Sequence, residues 1–107
     1  MLKLSFRQDN GWLRASVQGE LDVASAPVFR ARIQEALDEH QVRRLVLDLR
    51  DLTFIDSSGV GAILGRYRQL AALRGEMRVV GVSARIRPVL ELSGLGRIVP
   101  LERAQGR

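Results

Sequence analysis

The chain has 107 residues, 46% of them hydrophobic, and a formal net charge of +5, so it is long enough for one domain with a modest core. It contains no cysteine and a single histidine, His40, which excludes disulfides and thiolate metal sites and leaves too few ligands for a metal cluster. No apolar run is long enough to span a membrane or to act as a secretory signal, and we therefore expect a cytoplasmic protein with no membrane partner.

Two stretches of alternating polar and hydrophobic residues at the start of the chain predict a β-hairpin. Hydrophobic residues occupy every second position over residues 2–6 and again over 13–17. Asp9-Asn10-Gly11 lies between them and supplies residues that tolerate the left-handed backbone of a tight turn. The two strands should therefore pair antiparallel.

A helix and a buried strand are predicted next. Ser25 and Pro27 are typical of a helix start, and this helix should end near His40. Its hydrophobic residues recur at three- and four-residue spacing and predict an inner face made of Phe29, Ile33, Ala36 and Leu37. Leucine and valine over residues 45–49 then predict a buried strand, and residues 51–55 lead from it to the next turn.

A second amphipathic helix is predicted to begin within Asp56-Ser57-Ser58-Gly59-Val60-Gly61. Its apolar face consists of Val60, Ile63, Leu64, Tyr67, Leu70 and Leu73. Either Asp56 or Ser57 can cap the first turn, which leaves the other hydroxyl near unpaired backbone N–H groups and the positive end of the helix dipole. Such a position tolerates a phosphate group. Gly75 is predicted to end the helix in a left-handed conformation.

The last third of the chain predicts a strand, a short helix and an edge strand. The strand covers residues 77–82, and Ser83 is predicted to cap a helix that stops at Leu92-Ser93-Gly94. Residues 97–101 are predicted as the last strand, at an edge because Pro100 donates no hydrogen bond. The whole pattern predicts a single α/β domain, with an N-terminal β-hairpin, βα units, and a mixed, mainly parallel sheet with packed helices.

The strand-to-helix junction also resembles a known signature. Phe54–Gly61 with its continuation Ile63–Leu70 is similar to the STAS-domain anti-sigma factor antagonists. Within that family the chain is most similar to antagonists of the anti-sigma-F factor of sporulating bacteria, because Gly65-Arg66-Tyr67-Arg68-Gln69 matches as well. Further matching segments are Gly19–Asp22, Gly75–Met77 and Leu92–Leu95, so that the resemblance covers roughly residues 10–102.

The resemblance implies a phosphorylation-controlled regulator of transcription rather than an enzyme. In this family the unphosphorylated antagonist binds an anti-sigma factor that is also a serine kinase, with ATP or ADP bound, and so frees the sigma factor. The family register places phosphorylation on Ser58, which ends the binding until a serine phosphatase restores it. The partner-binding residues implied by the resemblance are Asp22, Asp56, Ser57, Ser58, Gly59 and Gly61.

The resemblance also sets expectations for the rest of the chain. It implies a STAS-type domain over residues 1–107, with no metal and no cofactor. Related antagonists continue into a further C-terminal helix, which we expect to be short or missing here because only Glu102–Arg107 remain.

Three other functions stay open. A general-stress antagonist of the same family would bind a different kinase by the same chemistry, and a STAS subunit of a lipid-transport complex would not need phosphorylation. A nucleotide-binding protein or small enzyme is disfavoured by the missing cysteine, the single histidine and the lack of a phosphate-loop lysine. Gly59, Gly61 and Gly65 lack dinucleotide-motif spacing, and we expect Gly61 and Gly65 to let the helix pack closely on the sheet.

The basic residues do not predict nucleic-acid binding. Most are arginines, and they are spread over every predicted element of the chain. Few aromatic residues lie between them to serve as a stacking platform for bases. We therefore expect no nucleic-acid partner.

Overall fold

The hairpin predicted at the N-terminus is present in the computed structural model, which describes residues 1–103. Strands β1 (Leu2–Asp9) and β2 (Trp12–Leu21) pair antiparallel. Asn10 and Gly11 form the turn between them, with φ angles of 52° and 81°. Two left-handed residues in a two-residue turn match the twist of the strands on either side, which fixes the register of the pair.

The remaining elements alternate between helices and strands. The helices are α1 (Ala26–His40), α2 (Ser57–Ala72) and α3 (Arg87–Leu92). The strands are β3 (Arg44–Asp48), β4 (Leu52–Ile55), β5 (Glu76–Val82) and β6 (Leu101–Arg103). A 3₁₀ turn, Leu95–Arg97, lies between α3 and β6. The predicted α/β class with a leading hairpin is confirmed.

The strands form one mixed sheet in the order β1–β2–β3–β5–β6. The pair β1–β2 is antiparallel, and the other pairs are parallel. Strand β2 has two neighbours on its second side, because residues 13–16 pair with β3 whereas residues 19–21 pair with β4. The carboxyl ends of β2 and β4 therefore lie next to each other, just before α1 and α2 begin.

The hydrophobic core lies between one face of the sheet and the helices. Strands β2 and β3 contribute alternate residues to it, and α1 and α2 contribute their inner faces. The completely buried side chains include Leu13, Ala15, Phe29, Ile33, Leu45, Leu47 and Ile63. Burying a large apolar side chain contributes about 1.5–3 kcal/mol to stability. The predicted inner face of α1 is thus confirmed.

Residues 51–55 do not merely lead to a turn as predicted, because most of them form the separate strand β4. The carboxylate of Asp48 accepts a hydrogen bond from the N–H of Arg50 at 3.0 Å. The N–H of Leu52 then donates to the carbonyl oxygen of Leu49 at 3.1 Å. These two bonds turn the chain sharply after β3 and bring it to the end of β2, where it continues as a strand.

The prediction that Gly75 takes the left-handed position after α2 is wrong. Arg74, with a φ of 61°, takes that position instead. Gly75 is required for another reason, since a Cβ at this position would lie 2.1 Å from the carbonyl oxygen of Arg43. The glycine therefore allows β5 to start in contact with the segment before β3.

The C-terminal elements begin later than predicted. Helix α3 has Ile86 and not Ser83 as its N-cap residue, because Pro88 in the first turn fixes the helical backbone there. Residues 97–100 are not a strand, since the N–H groups of Ile98 and Val99 both donate to the carbonyl oxygen of Leu95 and keep this segment in a turn. Strand β6 lies at the sheet edge as predicted. The expected shortening of the C-terminal helix concerns residues beyond Arg103, which lie outside the described residues.

Candidate functional site

Asp56 caps the first turn of α2. Its backbone is extended, with φ −120° and ψ −172°, and its Oδ1 accepts a hydrogen bond from the N–H of Gly59 at 3.1 Å. Its carbonyl oxygen accepts from the N–H of Val60 at 3.0 Å. Of the two possible caps, Asp56 is therefore the one used. Ser57 and Ser58 become the first two residues of the helix, the former exposed and the latter half-buried.

Gly59 brings the first turn of α2 into contact with the end of β2. A Cβ on Gly59 would lie 2.5 Å from the carbonyl oxygen of Leu21 and 2.8 Å from Cγ1 of Ile55. The N–H of Asp56 also donates to the Leu21 carbonyl oxygen at 3.3 Å. The nearest atom belongs to the backbone of β2, which cannot move aside as a flexible side chain can. A larger residue at position 59 would therefore clash with the end of β2.

Asp22 forms a compact turn with Ser25 directly before α1. Its Oδ1 accepts hydrogen bonds from the N–H groups of Ala24 at 3.1 Å and Ser25 at 3.0 Å, and lies 3.1 Å from Ser25 Oγ. In return, Ser25 Oγ accepts from the N–H of Asp22 at 2.9 Å. The bonds from the Ser25 N–H and then from its hydroxyl lower the pKa of Asp22 below its ordinary value of 3.8.

The strand register places these two aspartates side by side. Leu21 pairs with Ile55 in the parallel ladder of β2 and β4, so Asp22 and Asp56 are the next residues on adjacent strands. Both carboxylates accept bonds from backbone N–H groups and are fixed in place. The start of α2 is therefore next to two anchored negative charges.

Gly61 and Gly65 do not pack against the sheet, contrary to the expectation from the sequence. A Cβ on either residue would meet no atom within 4 Å, and both glycines are exposed. The helical rotation of about 100° per residue explains this, since it turns Gly61 about 200° away from Gly59. The outer side of α2 is therefore flat and accessible next to Ser57 and Ser58.

Arg66, in the segment that matches the antagonists, joins α2 to α1. Its Nη1 donates to the side-chain oxygen of Gln34. Desolvation lowers the pKa of Arg66 from its ordinary value, and the charge of Arg30 adds to this effect. Arg66 thus has a structural role between the two helices.

Comparison with known proteins identifies the family. A family model described as STAS domain matches residues 3–106. The chain belongs to the STAS domain family. An anti-sigma F factor antagonist from Paenibacillus polymyxa is 37% identical over 100 residues, which cover 94% of this chain and 86% of that protein.

Solved structures of the same class have the same fold as this STAS domain. The anti-sigma factor antagonist SpoIIAA in its unphosphorylated form is 32% identical, with a TM-score of 0.77 over 94% of this chain and 87% of SpoIIAA. The Bacillus cell fate determinant SpoIIAA in the phosphorylated form gives a TM-score of 0.70 at 32% identity, over 94% of this chain and 90% of that one. STAS-domain anti-sigma factor antagonists are regulatory binding proteins and not enzymes.

Exposed hydrophobic residues around the aspartates of this STAS domain were not singled out from the sequence. Val23, directly after Asp22, is 71% exposed, and Val28 and Phe54 are about half exposed. Val28 and Asp22 line an open depression of about 330 Å³. The period-2 and period-3.6 patterns give no signal for Val23, because it lies in a turn. Exposed apolar residues beside anchored charges are common in protein interfaces.

The remaining side chains of the STAS domain offer little else at this site. His40 lies at the far end of α1 and its Nδ1 is 3.0 Å from Oε1 of Gln8, so it is distant from Ser58. Within residues 1–103 no group of three or more histidine, aspartate or glutamate side chains is arranged to hold a metal ion. Each helix described within residues 1–103 is too short or too polar to span a bilayer.

Proposed function

We propose that this chain is an anti-sigma factor antagonist that binds its anti-sigma factor while Ser58 is unphosphorylated and is released when Ser58 is phosphorylated. The observation that carries the proposal is the position of Ser58, in the first turn of α2 beside the capping Asp56. The solved structures of SpoIIAA, 32% identical, in both phosphorylated and unphosphorylated forms support it. In this scheme the anti-sigma factor is the serine kinase and uses ATP, and a serine phosphatase restores the binding form.

Electrostatics provides the physical basis of the switch. A phosphoserine carries a charge of about −1.5 to −2 and would stand beside Asp56 and its neighbour Asp22. Enclosing that unpaired charge in a protein interface costs several kcal/mol. Since 1.4 kcal/mol is about tenfold in affinity, a penalty of roughly 4 kcal/mol is enough to weaken binding about a thousandfold.

The proposed partner surface combines the anchored charges with the flat outer side of α2. Asp22 and Asp56 are held by hydrogen bonds, and the buried Gly59 holds the first turn of α2 against β2, so the two carboxylates would be presented in a fixed geometry. Ser57, Ser58 and Gly61 add a surface without long side chains, and Val23 adds exposed apolar area. A rigid surface of this kind loses little conformational entropy when a partner binds.

The sigma-F pathway of sporulation is the favoured setting of the proposal. The relative from Paenibacillus polymyxa, 37% identical, is an anti-sigma F factor antagonist. The antagonist, the kinase and the phosphatase would all act in the cytoplasm, where the sigma factor meets RNA polymerase.

The test is phosphorylation by a candidate anti-sigma kinase. The purified chain is incubated with ATP and each anti-sigma kinase of the source genome, and the phosphate is located by mass spectrometry. We expect phosphate on Ser58, loss of phosphorylation in Ser58→Ala and its persistence in the matched variant Ser57→Ala. Phosphate on Ser57, or turnover that survives Ser58→Ala, would assign the modification to a different residue.

Binding measurements separate the switch from the phosphorylation itself. Ser58→Ala should bind the kinase persistently, whereas Ser58→Asp, which adds a charge at the interface, should bind weakly. The variant Ser57→Asp controls for a charge one residue away. Equal affinities of Ser58→Ala and Ser58→Asp would rule out charge exclusion as the mechanism.

A further inference from the structure

The face of the sheet opposite α1 and α2 gathers arginines that are scattered along the sequence. Strand alternation directs Arg7, Arg14, Arg44 and Arg78 to this face, from four different strands. Val46 marks the same face, since it is buried but lies outside the hydrophobic core cluster. The face therefore brings together four arginines that are far apart in the sequence.

Two of the acidic groups on this face, Glu76 and Glu102, are already paired with arginines. Arg44 Nε lies 3.2 Å from Glu76 Oε1, and Arg78 is bonded to Glu102. Among residues 1–103, the side chain of Arg7 forms no ion pair. Arg7 is thus available to an added anion, and the acidic residue that alternation places on the same face of β1 is Asp9, two positions further along the strand.

Asp48 organises the basic groups near the middle of the face. It is only 12% exposed, and its Oδ2 accepts a hydrogen bond from Arg14 Nη2 at 2.9 Å. Its Oδ1 accepts from the backbone N–H of Arg50 at 3.0 Å. Gly81, with a φ of 70°, leaves space for this arrangement, because a Cβ there would lie 2.5 Å from Asp48 Oδ1. Arg14 and the start of the β3–β4 turn are therefore held in place.

Next to Asp48, the antiparallel register of β1 and β2 places side chains of the same type directly opposite each other. Arg7 lies across from Arg14, and Ser5 lies across from Ser16. Two positive charges in a cross-strand pair repel each other unless an anion is near them; Asp48 pairs with Arg14, whereas Arg7 has no ion-pair partner among the described residues. These residues line an open depression of about 400 Å³, together with Asp48 and Arg50.

We propose that this depression binds the phosphate group of a phosphomonoester, held by Arg7, Arg14 and Arg50, with Ser5 and Ser16 as hydroxyl donors. Three guanidinium groups and one carboxylate give the lining a net charge of +2, which matches a phosphate dianion. Guanidinium groups donate to phosphate oxygens in pairs, which favours phosphate over a spherical anion such as chloride. The site is separate from Ser58 and does not depend on the proposed switch.

Titration with inorganic phosphate, followed by NMR of backbone amides and arginine Nε–H groups, tests the proposal. We expect saturable shifts confined to the residues around Ser5, Arg7, Arg14 and Ser16, and none with chloride at the same ionic strength. Arg7→Gln should weaken binding about tenfold, the effect of losing one charge-assisted hydrogen-bonding group. The matched control Arg85→Gln removes the same charge from an exposed position elsewhere and should change the affinity less than about twofold.

Two further arms identify the source of the phosphate group. Phosphatidylcholine vesicles with and without phosphatidic acid test a lipid headgroup, and glycerol phosphate tests a soluble ester. If either probe binds, and Arg7→Gln weakens the binding while Ser58→Ala does not, the result supports the site. The probe that binds then identifies the source of the phosphate group. Two results would overturn the proposal, because either would show that only net charge matters. The first is that chloride produces the same NMR shifts as phosphate, and the second is that Arg7→Gln and Arg85→Gln lose the same amount of phosphate affinity.

Discussion

The carbonyl oxygen of Leu21 lies so close to Gly59 that a Cβ on the glycine would be 2.5 Å away from it. The end of β2 and the first turn of α2 therefore meet through backbone, with no side chain between them. The contact joins residues that are far apart in sequence and fixes the position of Ser57 and Ser58 relative to the sheet.

Gly59→Ala should destabilise the fold, whereas Gly61→Ala should stabilise it. The first change drives a methyl group into the Leu21 carbonyl and should cost about 1–3 kcal/mol in the free energy of unfolding. The second has open space around it and should gain roughly 0.5–1 kcal/mol, because alanine favours a helix interior more than glycine does. Urea denaturation of both variants measures the difference, and equal effects would contradict the backbone contact.

Replacing Asp56 should separate its capping role from its charge. Asp56→Ala removes the acceptor for the Gly59 N–H and should lower the free energy of unfolding by about 1 kcal/mol. Asp56→Asn keeps an acceptor and should remain close to the wild type in stability. If Asp56→Ala proves as stable as the wild type in thermal unfolding, the cap contributes nothing.

The turn at Asp22 should contribute to stability only above acidic pH. Because the folded-state pKa of Asp22 lies below 3.8, its contribution is fully present above pH 3.8 and is lost as the pH falls through the lowered pKa. The stability difference between the wild type and Asp22→Asn should shrink accordingly in acid.

A second variant tests the cause of that pKa. Ser25→Ala removes the hydroxyl that lies 3.1 Å from Asp22 Oδ1 and should raise the pKa of Asp22 towards its ordinary value. The backbone N–H of Ser25 remains as a donor, so the recovery should be partial. NMR titration of the Asp22 carboxyl carbon gives the answer, and an unchanged pKa would assign the whole effect to the backbone.

Phosphorylation at Ser58 should leave the backbone fold unchanged. A phosphate in the first turn of α2 meets the favourable end of the helix dipole, worth roughly 0.3–1 kcal/mol at an exposed site. Chemical-shift differences between the two forms should stay near Asp22 and within residues 56–59. Differences that reach α3 would show instead that the signal is conformational.

Substitutions at Arg74 and Gly75 test which of these two residues takes the left-handed position after α2. Arg74→Gly should stabilise the protein by about 1 kcal/mol, since glycine adopts the left-handed conformation without the cost a side chain has there. Gly75→Ala should destabilise it, because of the close approach to Arg43. The opposite pair of results in thermal unfolding would favour the original prediction for Gly75.

Much of the fold follows from local patterns in the sequence. The hairpin, α1 and the capped start of α2 depend on neighbouring residues, and each was predicted close to its observed bounds. Strand β4 was not recognised because its partner is the far end of β2, a pairing that no local pattern records. Gly75 was misassigned for a similar reason, since its role depends on Arg43 in another segment.

The candidate site also combines features that depend on local sequence with features that depend on contacts between distant segments. A cap at Asp56 or Ser57 could be predicted from the local sequence, because a capping acceptor and its donor lie within three residues of each other. The position of Asp22 beside it came only from the family resemblance, since the proximity arises from the register of two parallel strands. The grouping of Arg7 with Arg14 likewise needs the cross-strand pairing, and in the sequence the two are merely two of many arginines.

The glycines of α2 make this helix dependent on the rest of the protein. Its sixteen residues include Gly59, Gly61 and Gly65. In an isolated helix, each glycine lowers the free energy of helix formation by about 1 kcal/mol less than an alanine would. An unfolded or truncated chain would therefore leave this segment as coil, with Ser58 outside any helix. Amide protons in α2 should consequently exchange with solvent whenever the helix separates from the sheet, so that their exchange rates report how firmly α2 is packed.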